Sequence, residues 1–292
     1  MEAPENTLQS FQHANRTGVD IIETDVRITK DGVILVCHDQ TFERLCKPEL
    51  LPHLKAKVSE MEWNNLESTP EFKQQMPLHF AGLRNSQTAY ERAEGDQSSY
   101  SRLEDIFAAL PKEQVIQVDI KDMQSEEAVR AVLHLVRKYE RESTTIVGCL
   151  SQRNNNLIRR LNPRLPTFLT YEEFGLTFFY LLSGLLPFVS LPYDIVPAPY
   201  LTHDYMKMKL EERAEATGLI KRTSYLLFLL AISIVNKTAN GLFSHLNKRG
   251  IVTCYWVLND DEEIAHVMNA TTVQGIMTDR PSHVKQFLRS HQ

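Results

Sequence analysis

Residues 21–40 read IIETDVRITKDGVILVCHDQ. Two apolar runs flank an Asp-Gly pair, the strongest short-range signal for a β-hairpin. Glu23 and Asp25 lie two apart in the first run, so on a strand they share one face. With Asp31-Gly32 as a two-residue turn, Lys30 pairs with Val33, Ile28 with Leu35 and Asp25 with His38. Opposed residues point to the same face of a ribbon. The turn thus predicts one cluster: Glu23, Asp25 and His38. Two carboxylates and an imidazole suit a divalent cation. The alternative is an exposed polar face with an incidental ion pair, against which stand the apolar neighbours Ile21, Ile22 and Val26.

A second stretch, VIQVDIKD at 115–122, alternates like a strand and puts Gln117, Asp119 and Lys121 on one face. An acid and a lysine on the inner face of a parallel strand are costly unless they bind something. Asp119 is then a further metal ligand, and Lys121 holds an anion such as a phosphate. The alternative is a structural Asp–Lys pair. A metal, a lysine and a histidine together supply what phosphoryl transfer needs: charge stabilisation and a proton carrier.

The 292 residues, 42% apolar and 24% charged, suit one large α/β domain or two ordinary ones. A net charge of −5 without a basic stripe argues against nucleic acid as a partner. Cys37, Cys46, Cys149 and Cys254 show no C-x-x-C spacing, which fits reduced core thiols. MEAPENTLQSF at the start has neither a basic nor an apolar signal-peptide region. The expected location is intracellular: membrane-associated, at the endoplasmic reticulum or the cytoplasmic face of a membrane.

Strand-like and helical runs alternate, which implies parallel strands joined by helical crossovers. Predicted strands are 20–26, 115–120, 144–150, 166–170, 189–196, 251–257 and 273–277. Predicted helices are 7–16, 102–110, 125–141, 154–161, 261–268 and 282–290. Two insertions interrupt the order. Residues 43–101 are polar and show no clear strand. Residues 171–240 are the opposite: FGLTFFYLLSGLLPFVS at 174–190 has no charge, and YLLFLLAISIV at 225–235 is too short to span a bilayer. A buried helix pair, an interfacial insertion and a true span are the three readings. Lys207, Lys209, Lys221 and Arg222 favour the interfacial one, beside phosphate headgroups, and point to a lipid substrate.

PENTLQSFQHANRTGVDIIETDVRITKDGVILVCHD at 4–39 resembles the N-terminal signature of the glycerophosphodiester phosphodiesterases. Pro4-Glu5-Asn6-Thr7, Glu23-x-Asp25, Lys30-Asp31-Gly32 and His38-Asp39 match it in order and spacing. VDIKD resembles that family's E-I-K strand, with Asp119 where glutamate is more usual. CYWVLND at 254–260 and GIMTDRP at 275–281 resemble its last two barrel strands, and the hydrophobic insertion resembles its membrane-associated, lysophospholipase D branch. The resemblance implies a single α/β TIM-barrel domain over 1–292, of the phospholipase-C-like phosphodiesterase type. It implies Mg²⁺ or Ca²⁺ on Glu23, Asp25 and Asp119, with His38 as ligand or as acid and base. Lys121 would act on the phosphate, and Glu5 and Trp256 would touch substrate. The substrate would be a lysophospholipid or other glycerophosphodiester, attacked by water or through a cyclic phosphate.

The family's H-R-G strand, with its second histidine, has no counterpart before Pro4. The expectation that follows is a barrel short of its first strand, metal binding retained, and turnover lowered on the order of 10²–10⁴-fold. The alternative is a catalytically silent, membrane-associated protein that binds lipid or metal.

Overall fold

A computed structural model describes residues 2–43, 55–68 and 100–290. The chain divides into two compact units: the first holds the N-terminal part up to Tyr171, the second Glu172 to the C-terminus.

The first unit opens with α1 (Leu8–Thr17). Thr7 caps it through a reciprocal pair of bonds with Ser10, and Gly18 ends it at φ +74°. Then come β1 (Ile21–Ile28), β2 (Ile34–Val36), α2 (Trp63–Ser68), β3 (Ser101–Arg102), α3 (Leu103–Ala109), β4 (Val115–Ile120), α4 (Glu126–Lys138), β5 (Thr145–Gly148) and α5 (Gln152–Leu161). Ser125 caps α4 through the Ala128 N–H, as its position before two glutamates leads one to expect. The sheet order is β3-β2-β1-β4-β5. β1, β4 and β5 run parallel, and β2 returns antiparallel beside β1.

Strand alternation sorts the sheet into two faces. Ile22, Val26, Ile116, Val118, Ile120 and Val147 pack under Phe11, Ile106, Val129, Val132 and Ile158 of the covering helices. Glu23, Asp25, Gln117 and Asp119 fall on the other face. The register sets Glu23 beside Gln117 and Asp25 beside Asp119, with Gly148 next in line. A Cβ on Gly148 would stand 2.6 Å from Cδ1 of Phe168, so glycine is what lets that ring close over β5.

The hairpin departs from the two-residue turn. Val26 faces Val36 and Ile28 faces Ile34, one residue off the expected pairing. Lys30, Asp31 and Gly32 form a three-residue loop closed by Thr29 N–H to the Val33 carbonyl at 2.9 Å, with Gly32 at φ +83°. The Thr29 hydroxyl accepts the Val33 N–H and donates to Asp31, whose carboxylate also accepts the N–H of Trp63 at the start of α2. Those side-chain bonds select the longer loop. The slip puts Cys37, not His38, opposite Asp25, and the Cys37 N–H bonds the Asp25 carbonyl at 3.0 Å.

Of the polar stretch 43–101, residues 44–54 and 69–99 lie outside those described. The remainder is not wholly surface: Val58, Trp63, Leu66 and Tyr100 form a small core with Leu35, Cys37 and Phe42. Pro166–Thr170, expected as a strand, joins no named one, although the Pro166 carbonyl accepts from Val147 N–H.

The second unit holds α6 (Tyr171–Ser183, entered from the last residue of the first), β6 (Ile195–Pro199), α7 (His203–Glu215), α8 (Leu219–Lys248), β7 (Val252–Trp256), α9 (Asp261–Ala270), β8 (Gly275–Ile276) and α10 (Pro281–Ser290). Its three parallel strands are ordered β6-β7-β8. β6 starts later than expected and carries Pro197 and Pro199, which an edge strand tolerates because their missing N–H groups need no partner there. The fold is therefore α/β, and the described strands form a five-stranded and a three-stranded sheet rather than one closed ring.

The apolar run at 225–235 proves to be part of a thirty-residue helix, α8. Its segment Leu219–Thr238 is long and apolar enough to cross a membrane and is only 6% buried. That burial speaks against the buried helix pair. The run at 174–190 breaks at Gly184, φ +73°, and leaves Phe179, Leu182 and Phe188 exposed.

Candidate active site

One group of carboxylates stands out among the described residues: ligand oxygens of Glu23, Asp25 and Asp119 lie within 4.8 Å of one another. Adjacent parallel strands in register put them there. Asp25 and Asp119 are buried and Glu23 half-buried. Lys121 closes the cluster, its Nζ 2.8 Å from Asp25 Oδ1 and 2.6 Å from Asp119 Oδ2. The Lys121 N–H also bonds the Val26 carbonyl, which extends the ladder one step past β4. The Asn6 amide donates to Asp25 Oδ2 at 3.1 Å. Asp119 Oδ1 is buried with no hydrogen-bond partner.

The electrostatics follow from that crowding. Burial, then the charge of Asp25, pushes the Glu23 carboxyl well above the usual carboxylate range, against the pull of Lys121. Burial also raises Asp119, because Lys121 only partly offsets it. For Asp25 burial acts upward too, but Lys121 and His38 outweigh it and hold the carboxyl low. Lys121 itself is raised: burial lowers it, and Asp119 and Asp25 more than compensate. Three carboxylates, one lysine and an orphaned oxygen leave negative charge unmatched. A divalent cation with oxygen ligands fits such a set, and Glu23, Asp25 and Asp119 could hold one.

His38 stands outside the carboxylate cluster, yet close enough for its charge to act on Asp25 and Asp119. Its ring is half-exposed, with Nδ1 2.7 Å from Asp39 Oδ1. In the tautomer that donates Nδ1–H to Asp39, Nε2 is left to give or take a proton. Cys37, the residue that does oppose Asp25, has its thiol pushed up to about 12 by burial, so it stays protonated.

Glu5 is half-buried on the turn before α1, and its neighbour Asn6 is the residue that reaches Asp25. Trp256 belongs to the second unit, half-buried at the end of β7, with its ring edge-on to Tyr205 at 5.7 Å. The sequence reading gives no role to Asn6 or Asp39. Both lie inside the matched motifs, which is the available signal.

The sequence profile of the glycerophosphoryl diester phosphodiesterase family matches residues 1–178. The chain belongs to that family. It is thereby a member of a family of phosphoric diester hydrolases, as the motifs around Glu23 and His38 led one to expect. Human lysophospholipase D GDPD1 is 27% identical over 288 residues, covering 98% of this chain and 82% of that protein. Human lysophospholipase D GDPD3 is 28% identical over 298 residues, covering 99% and 82%. Among solved structures, an Oleispira antarctica phosphodiesterase in complex with the product sn-glycerol-3-phosphate aligns with a TM-score of 0.63 at 12% identity, covering 99% of this chain and 92% of that one. A Thermotoga maritima glycerophosphodiester phosphodiesterase aligns at 0.58 and 19% identity, covering 97% and 91%. These two likenesses establish the fold.

Proposed function

We propose that this chain hydrolyses lysophospholipids in the manner of a lysophospholipase D, releasing choline or ethanolamine and leaving lysophosphatidic acid. Support comes from the lysophospholipase D relatives that match nearly the whole chain. The observation that carries the chemistry is the buried carboxylate cluster with its orphaned Asp119 oxygen.

Glu23, Asp25 and Asp119 would hold Mg²⁺ or Ca²⁺, which when bound supplies Lewis-acid polarisation of a phosphate oxygen. Lys121 spends two of its three N–H donors on Asp25 and Asp119 and offers the third to a phosphate oxygen. His38 moves the proton at Nε2 while Asp39 holds Nδ1; it could alternatively serve as a ligand. Water adds to phosphorus, the bond from phosphorus to the headgroup oxygen breaks, and the headgroup leaves as an alcohol after gaining a proton. Glu5 and Trp256 are assigned to substrate contact.

The substrate is presented at a membrane surface. Phe188, Leu219 and Ile220 are more than 80% exposed, and Lys207, Lys221 and Arg222 lie exposed near them in sequence. That is the composition of an interfacial insertion.

The test is headgroup release from lysophosphatidylcholine with Mg²⁺ or Ca²⁺. The expected result is release that is lost in both Glu23→Ala and His38→Ala. A wild-type chain that binds the cation by calorimetry yet releases nothing would instead be a silent lipid- or metal-binding member of the family.

A further inference from the structure

Beyond the carboxylates lies an ion pair that the chemistry above does not use. Arg27 follows Asp25 by two residues on β1, and Asp122 directly follows Lys121. Arg27 Nη1 lies 2.9 Å from Asp122 Oδ1, and both side chains are mostly buried, 14% and 18% exposed. The remaining atoms of the pair are directed too. Asp122 Oδ2 accepts the backbone N–H of Ile28 at 2.7 Å. Arg27 Nε donates to the backbone carbonyl of His38 at 3.0 Å.

Each of these bonds replaces something the backbone lacks there. β4 ends at Ile120, and the last ladder bond runs from Lys121 N–H to the Val26 carbonyl. The next donor along β1 is Ile28 N–H, and the Asp122 carboxylate takes the place of a strand carbonyl. On the other edge β2 ends at Val36 and the last backbone bond is Cys37 N–H to the Asp25 carbonyl. His38 has left the ladder, and the Arg27 guanidinium holds its carbonyl instead. Ile28 is buried, so its N–H at the strand end needs such a partner, whereas the Arg27 bond to the His38 carbonyl lies in an exposed position and serves to hold that backbone in place. A guanidinium can serve two acceptors in a fixed plane, which a lysine cannot.

We propose that the Arg27–Asp122 pair is a positioning device: it fixes the backbone of His38 and that of Lys121 to the same end of β1, and so sets the span between the proton carrier and the phosphate-binding lysine. The proposal rests on the roles given to His38 and Lys121 above. His38 has a half-exposed ring and one side-chain partner on the adjacent residue, so the Arg27 bond is its long-range anchor. Positioning has kinetic weight, since a displacement of about 1 Å can cost on the order of 10²-fold in rate.

Arg27→Lys is the informative variant. It keeps a cation against Asp122 but cannot also hold the His38 carbonyl. Asp122→Asn is the second: its amide oxygen can still accept the Ile28 N–H, while the charge pair is lost. With Glu23, Asp25 and Asp119 untouched, calorimetric affinity for Mg²⁺ or Ca²⁺ should stay within about twofold in both. In Arg27→Lys, kcat for headgroup release should fall about 10–100-fold with KM nearly unchanged. The His38 ring signal in a ¹H–¹³C NMR spectrum, assigned by its loss in His38→Ala, should broaden or split as the loop samples several positions.

A wild-type His38 signal in Arg27→Lys would overturn the proposal. So would a fall in kcat matched by an equal loss of folded protein or of bound cation, since the pair would then be purely structural. If the wild-type chain released no headgroup, the lysophospholipase D reading would fail by itself. The NMR comparison would still decide whether Arg27 positions His38.

Discussion

Asp25 and Asp119 stand side by side on neighbouring parallel strands, and a single lysine reaches both, at 2.8 and 2.6 Å. Lys121 is therefore a built-in counter-ion for a cluster that also contains Glu23. Removing one partner of a buried charge set leaves the rest uncompensated, typically at about 3–5 kcal/mol. Lys121→Met should lower the thermal midpoint sharply in the absence of divalent cation. Because the lysine and a cation share the same carboxylates, Mg²⁺ or Ca²⁺ should raise the midpoint of Lys121→Met more than that of the wild type. Headgroup release should fall even where cation binding improves, since the phosphate loses its donor. Equal cation-induced shifts in both proteins, read by scanning fluorimetry, would mean that the cation binds elsewhere.

Glu23 supplies a pH dependence whose sign can be worked out. Its folded value is raised well above the ordinary 4.5, chiefly by burial and Asp25. Between those two values the folded state binds more protons than the unfolded state. Stability therefore falls as pH rises through that window, when no cation is present. A cation competes with the proton for the same oxygens, so its stabilising effect should grow with pH. Glu23→Gln removes the titration. The cation-free variant should be at least as stable as the wild type at pH 8, with a flatter profile. The wild type should gain about 2.7 kcal/mol at a cation concentration a hundred times Kd, and Glu23→Gln should lose most of that gain. Midpoints at pH 5.5 and pH 8, with chelator and with Mg²⁺ or Ca²⁺, check each part.

What the sequence made legible divides along the reach of the interactions involved. Helix starts at Thr7 and Ser125 and the strand Val115–Ile120 were readable because caps and alternation are local. The carboxylate cluster was readable because strand parity puts Glu23 with Asp25 and Asp119 with Lys121. The hairpin register was not. It turns on Asp31 accepting the N–H of Trp63, a contact across 32 residues that the Asp-Gly pair does not announce. His38 moved out of line with Asp25 for that reason. The full length of α8 was hidden because charged and polar residues flank its apolar middle, Lys221 and Arg222 before it and Asn236 and Lys237 after. The Arg27–Asp122 pair, 95 residues apart, carries no local pattern at all.

Gly148 offers a test of how tightly the site is packed. It lies beside Asp119 in the ladder, and any Cβ there meets the Phe168 ring, which is itself buried. Gly148→Ala should cost about 1–3 kcal/mol by overpacking. Trimming the ring in Gly148→Ala/Phe168→Leu should recover part of that loss, as coupling between touching residues requires. The strain should also reach Asp119, so cation affinity should drop in the single variant and return in the double one. Strict additivity of the two substitutions in urea melts would mean that the ring moves aside freely.

The exposed apolar surface of the second unit carries the last prediction. Leu219 and Ile220 are 81% and 89% exposed at the start of α8, followed by Lys221 and Arg222. Side chains this exposed contribute little to folding, so changing them should leave the thermal midpoint within a few degrees. At a bilayer they would bury apolar area, worth about 1.5–3 kcal/mol for each side chain when fully covered. The double variant Leu219→Asp/Ile220→Asp should therefore weaken binding to lysophospholipid-containing vesicles by at least tenfold. Vesicles rich in anionic lipid should bind the wild type more tightly, and added salt should reduce that advantage, because Lys207 and Lys221 contribute through a screened field. Activity toward a short-chain substrate in free solution should be unaffected by the double variant, which separates membrane docking from chemistry. Vesicle flotation that is the same for both proteins would move the docking surface away from the start of α8, to the exposed Phe179, Leu182 and Phe188.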